Sequence, residues 1–76
     1  QGAEIDLVLR RGGELFGIEI KRADAPRLTP SIRIALDDLG LERVVIIYPG
    51  VKRYPLAERV EAIPLQALEE KTSLLS

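Results

Sequence analysis

Cysteine, histidine, methionine and tryptophan are all absent from this chain. Without cysteine there are no disulfides and no thiolate ligands. Without histidine there is no imidazole ligand, and the usual zinc sites go with it. Cys- or His-based nucleophilic chemistry is likewise excluded. Any metal must be held by oxygen, which points to Mg²⁺, Mn²⁺ or Ca²⁺. No apolar run approaches membrane-spanning length, and no signal-peptide pattern is visible. The phosphate-binding pattern GxxxxGK(S/T) does not occur, so the chain binds no ATP by that means. Eleven Lys and Arg against twelve Asp and Glu give a net charge of −1. There is thus no global basic field of the kind many nucleic-acid binders carry. A cysteine-free composition fits a cytoplasmic protein.

What is present is one small domain of 76 residues, with a modest core. It opens at Gln1 almost directly into a strand. We therefore expect a piece of a longer protein, truncated on its N-terminal side. Residues 4–10 and 14–21 form two short β-like runs around Gly12-Gly13, a hairpin signature. Alternation places Ile5, Leu7 and Leu9 on one face, with Glu4 and Asp6 on the other. In the second run Phe16, Ile18 and Ile20 share a face, and Gly17, Glu19 and Lys21 share the opposite one. A two-residue Gly12-Gly13 turn sets Asp6 opposite Glu19 and Glu4 opposite Lys21. A longer loop sets Glu4 opposite Glu19, with Asp6 diagonal to it. Both registers gather the charged groups on one side. Carboxylates directly opposite each other repel unless something positive lies between them. Lys21 supplies one charge, and Mg²⁺, which takes one or two carboxylates plus waters, would supply more. The plainer alternative is a half-exposed hairpin with solvated surface pairs.

Residues 22–30 carry two prolines and mixed charge, and read as a loop. Ile32, Ala35, Leu36 and Leu39 recur at helical spacing, which predicts a helix over about 31–39, capped by Thr29 or Ser31 and stopped at Gly40. Residues 42–48 are a β-branched run, typical of a strand buried on both faces. Strand, helix and strand in that order imply a right-handed parallel crossover. Pro49-Gly50 is a turn, 51–59 reads as irregular surface chain, and 60–63 as a short edge strand. Residues 64–70 can form a terminal helical turn, with Pro64 at its first position. The fold class is therefore α/β: a small mixed sheet of antiparallel hairpin plus parallel crossover strand, with one covering helix. The Phe16/Ile18/Ile20 side is the expected core face. The face bearing Asp6, Glu19 and Lys21 is expected to lack a cover.

An Asp near one strand, then Glu-x-Lys on the next, resembles the signature of the PD-(D/E)XK nuclease superfamily, the restriction-endonuclease-like fold. Here the match is Asp6 and Glu19-Ile20-Lys21. Further stretches resemble the C-terminal domain of unknown function of bacterial and archaeal AAA-type ATPases. They are Gly2-x-Glu4-Ile5-Asp6, Gly17-Ile18-Glu19-Ile20-Lys21, Ile47-Tyr48-Pro49-Gly50 and Tyr54-Pro55-Leu56. This likeness covers roughly residues 2–65. It implies that Asp6, Glu19 and the Ile20 carbonyl bind Mg²⁺, while Lys21 orients water and stabilises phosphate charge. It also implies DNA or another nucleic acid as substrate. An upstream ATPase domain would hold the ATP. Separately, the exposed sheet edges and the uncovered face are expected to drive homo-oligomerisation, and no membrane partner is expected. Ile5 stands where the nuclease pattern has proline, and the upstream helix of that fold is outside the chain. Glu4 is an additional acid on the site face. A non-catalytic recognition or oligomerisation module that keeps the fold is the alternative. Arg10, Arg11, Arg22, Arg27 and Arg33 could track a phosphate backbone, and Tyr48 and Tyr54 could stack bases. Solvated arginines and tyrosines used in packing are the competing readings.

Overall fold

The computed structural model describes residues 5–22 and 25–69. Five strands and one α-helix follow in the order β1 (Leu7–Arg11), β2 (Glu14–Ile20), α1 (Pro30–Asp38), β3 (Leu41–Tyr48), β4 (Tyr54–Ala57) and β5 (Val60–Pro64), closed by a 3-10 helix at Leu65–Glu69. The strands form a single mixed sheet in the order β1-β2-β3-β5-β4. Strands β2, β3 and β5 run parallel, and an antiparallel hairpin partner flanks them on each side. Among the described residues no helix is long and apolar enough to cross a membrane.

The first turn is the two-residue one. Arg11 pairs with Glu14 and Leu7 with Ile18. Gly12 and Gly13 both have positive φ, 60° and 89°, which a two-residue hairpin turn of this hand requires and glycine allows without strain. Helix α1 starts as expected: Thr29 is the N-cap, its hydroxyl accepting from the Ile32 N–H at 3.4 Å, and Pro30 occupies the first turn. It ends at Leu39, and Gly40 turns out of the helix at φ 64°.

The helix packs Ile32 and Ala35 onto Leu41, Val44, Ile46 and Val60. Full burial of each such aliphatic side chain stabilises the fold by about 1.5–3 kcal/mol. In the parallel register Gly17 lies beside Val44 and Glu19 beside Ile46. The helix therefore covers the Gly17/Glu19 face, which corrects the expectation that this face lacked a cover. The Phe16/Ile18 face carries a second cluster of Ile18, Val45, Ile47 and Ile63, against which the 3-10 helix places Ala67. At the border of this second face Leu7, Ile20 and Leu65 are 51%, 60% and 54% exposed, so Ile20 is not a core residue.

Three further expectations are corrected on the C-terminal side. Residues 54–57, read as irregular, form β4, because a proline is tolerated on an edge strand where its missing N–H leaves no ladder position empty. Strand β5 is interior and not an edge, since β4 folds back on its outer side. Pro64 ends β5 opposite Tyr48 and does not begin a helix.

Tyr48 and Tyr54 meet edge to face with ring centroids 5.9 Å apart, and the Tyr48 hydroxyl donates to the Lys52 carbonyl. The Tyr48 ring lies over Gly50, so that a Cβ at Gly50 would overlap it. The ring is anchored by its burial and by its hydroxyl bond to the Lys52 carbonyl, so moving it aside disturbs both. Gly50→Ala is expected to lower unfolding free energy by about 1–3 kcal/mol, the usual range for overpacking, with an unchanged m-value in urea denaturation.

Candidate functional site

The polar cluster lies where β1 begins and β2 ends. Strand β1 starts pairing at Leu7, and the chain bends at Asp6. The bend sends Ile5 onto the helix-covered face, where it joins the margin of the first cluster. Alternation alone had placed Ile5 with Leu7 and Leu9. Gly17 makes the crossing possible: a Cβ there would lie 2.9 Å from Leu41 Cδ1 and 3.2 Å from Ile5 Cγ2. With the main chain turned away, the Asp6 carboxylate takes the ladder position that a backbone carbonyl would have filled. Its Oδ2 accepts from the Ile20 N–H at 2.8 Å.

The neighbouring groups follow from strand geometry. The Lys21 N–H donates to the Ile47 carbonyl at 2.9 Å, so Lys21 faces β3 and Ile20 faces the β1 side. A strand residue sends its N–H and C=O to the same edge. The Ile20 carbonyl therefore leaves the sheet on the edge that Asp6 occupies, beyond the last β1–β2 pair. Glu19 is 9% exposed on the helix-covered face, and its Oε2 pairs with Lys21 Nζ at 2.9 Å. Lys21 is more open, at 36%. Lys21 and Arg22 also wall an open cleft of about 260 Å³, completed by Ile20, Ile47, Tyr48, Pro49 and Leu65 at the C-terminal ends of β2 and β3.

Glu19, Ile20 and Lys21 are thus three consecutive residues at the end of β2 and just past it, and the Asp6 side chain is bonded to the middle one. Glu4 lies outside the described residues. The oxygen donors available are two carboxylates and one carbonyl. Among the described residues no group of three or more acidic side chains converges to cage an ion. That donor set suits a hard cation that keeps much of its water, as Mg²⁺ does.

Arg10, Arg11, Arg22, Arg27 and Arg33 are all exposed, and no single element carries them. Tyr48 is 4% exposed and offers no face for stacking. A polar knot that the sequence reading missed sits on the Phe16/Ile18 face. Glu61 accepts from Arg53 Nε at 2.7 Å, and its Oε1 lies 3.5 Å from Arg43. Recognising β4 would have exposed it, since the β4–β5 hairpin is what brings the Arg53 segment back to Glu61.

A family described as Domain of unknown function (DUF4143) matches residues 1–68. Two curated relatives are 47% identical over 64 residues, which is 84% of this chain: the uncharacterized protein Rv2008c of Mycobacterium tuberculosis and the uncharacterized protein Mb2031c of Mycobacterium bovis. The chain spans 14% of the length of each. No solved structure matches it significantly.

The Asp6–Ile20 bond can be separated from the charge of Asp6. Asp6→Ala is expected to cost about 1 kcal/mol and to speed hydrogen exchange at the Ile20 amide. Asp6→Asn keeps an oxygen acceptor and is expected to retain most of that stability and protection. Equal losses in the two variants, measured by urea denaturation and amide exchange, would show that the bond contributes nothing.

Proposed function

The chain belongs to the DUF4143 family, and from that premise we propose that it is a nuclease-fold accessory domain of a longer ATPase, with a Mg²⁺-dependent phosphodiesterase site at Asp6, Glu19, the Ile20 carbonyl and Lys21. One observation carries the reading. The Asp6 carboxylate is bonded to the peptide N–H of Ile20, the residue between Glu19 and Lys21. Two acids, a carbonyl and an ammonium are thereby brought to one end of one sheet, in the order that the PD-(D/E)XK pattern uses. Strand β3, reached from β2 through α1, supports the same resemblance in connectivity.

The oxygen-only donor set fits Mg²⁺ with several waters retained. Bound there, the ion would act as a Lewis acid on a phosphoryl oxygen and lower the pKa of a bound water. The residues have separable tasks. Asp6 offers its second oxygen while Oδ2 stays on the Ile20 N–H, which fixes the carboxylate's direction. Glu19, nearly buried, offers Oε1 while Lys21 holds Oε2. Lys21 is exposed enough to turn its ammonium towards a phosphate in the adjoining cleft and to stabilise the charge that develops there. Nucleic acid is the substrate class, and the ATPase with its ATP would lie in the remainder of the longer protein, in the cytoplasm.

A second reading is a non-catalytic recognition or assembly module. It is favoured by the fact that Asp6 and Glu19 both have partners within the chain. Calorimetric titration of the full-length protein decides between them. The wild type is expected to bind Mg²⁺ or Mn²⁺ at millimolar concentration, and Asp6→Asn to lose that binding while staying folded. Lys21→Ala is expected to keep the ion but lose hydrolysis of a DNA oligonucleotide by at least tenfold. No ion binding by the wild type would leave the assembly reading in possession.

A further inference from the structure

Strands β2, β3 and β5 run parallel and finish side by side, at Ile20, Tyr48 and Pro64. The carboxyl ends of parallel strands are where open α/β sheets bind ligands. The cleft of about 260 Å³ next to Lys21 lies there. Its walls divide by chemistry. Ile20, Ile47, Pro49 and Leu65 make it apolar on one part, and Lys21 and Arg22 make it cationic on the other. Among the described residues no acid lines it. Ile20 and Leu65 are left more than half exposed, beside a buried Ile47. Lys21 is paired with Glu19, whereas Arg22 is exposed and has no carboxylate partner among the described residues.

The cleft is also held in shape before anything enters it. Tyr48 is buried, donates its hydroxyl to the Lys52 carbonyl, lies over Gly50 and meets Tyr54 edge to face. The Tyr48-Pro49-Gly50 stretch and Tyr54 thus fix the turn that carries the Pro49 wall. The Lys21 N–H, bonded to the Ile47 carbonyl, fixes the other side. Walls anchored in this way need little ordering when a ligand binds.

We propose that this cleft seats one unpaired nucleotide, its base against Ile20, Ile47, Pro49 and Leu65 and its phosphate towards Arg22 and Lys21. The inference rests on the phosphodiesterase reading of the neighbouring polar cluster, and makes the nucleic acid single-stranded where it meets the chain. Shape and charge select this occupant. Clefts for drug-sized molecules run to about 300–1,000 Å³, so this smaller one suits a body the size of a base. A base has two apolar faces, and the phosphate attached through its sugar supplies the anion that the cationic wall calls for. In a duplex the base is stacked on both sides and paired along its edge, and it must be taken out of the stack before it can enter. An unpaired base avoids that cost. Aliphatic walls read no hydrogen-bonding edge, so the seat accepts any base.

Amide chemical-shift titration of the nitrogen-15-labelled 76-residue chain tests it, in EDTA so that no divalent ion takes part. Thymidine 5′-monophosphate is expected to move the signals of Lys21, Arg22, Ile47 and Leu65, and to bind about tenfold tighter than inorganic phosphate. Leu65→Glu changes an exposed side chain, should keep a folded spectrum, and is expected to erase that preference. Arg22→Ala is expected to weaken both ligands alike. A single-stranded oligothymidylate should move the Ile47 and Leu65 signals, and a DNA duplex of the same length should not. Equal affinity for thymidine monophosphate and phosphate would overturn the proposal. So would a Leu65→Glu chain that keeps the preference, or a duplex that moves Ile47 and Leu65 as the single strand does. The absence of metal separates this result from the ion titration. Nucleotide binding by a chain that takes no Mg²⁺ would uphold the cleft and reject hydrolysis at the cluster, and Mg²⁺ binding without nucleotide preference would do the reverse.

Discussion

The arrangement of this domain turns on the missing side chain at Gly17. Leu41 and Ile5 approach the strand from the helix-covered side at distances that a methyl group would obstruct. Because Ile5 can cross there, the main chain leaves β2 two residues before that strand ends. Because it leaves, Asp6 replaces it as the acceptor for the Ile20 N–H. The position of the acid near the end of β2 thus depends on packing at Gly17 as well as on its bond to the Ile20 amide.

Much of this was legible in the sequence, and the exceptions have physical causes. Gly12-Gly13 marked the hairpin but left two registers open; the positive φ at both glycines and the Arg11–Glu14 pair settle the two-residue turn. Thr29-Pro30 marked the start of α1, and the β-branched run of β3 marked a strand buried on both sides. Which face the helix would cover was misread from apolarity. Strand β3 is apolar on both sides, with Val44 and Ile46 on one and Val45 and Ile47 on the other, so alternation could not decide. Chirality could have. For L-residues, the edge to which a strand residue sends its N–H and C=O determines the face its side chain takes. Ile18 bonds towards β1, and the crossover to β3 is right-handed. Together these leave only the Gly17/Glu19 side for α1.

Strand β4 was missed for a different reason. Pro55 and the short length of Tyr54–Ala57 argue against a strand in isolation. They are acceptable only because β5 is already in place to hold it. The candidate site was legible as residue types and spacing, but its internal partners were not. That Asp6 caps a peptide and that Glu19 pairs with Lys21 depend on the bend and on side-chain burial, neither of which leaves a pattern in the sequence.

Among the described residues, strand β3 is the member of the sheet that touches both hairpins, β1–β2 on one flank and β4–β5 on the other. Neither hairpin contacts the other through the ladder, and two-stranded ribbons are at best marginal in water. The α-helix, too, finds much of its seat on β3, at Leu41, Val44 and Ile46. Withdrawal of that one strand would dissolve the whole assembly at once. Loss of structure in this small chain is therefore a single cooperative event, with no stable half left behind.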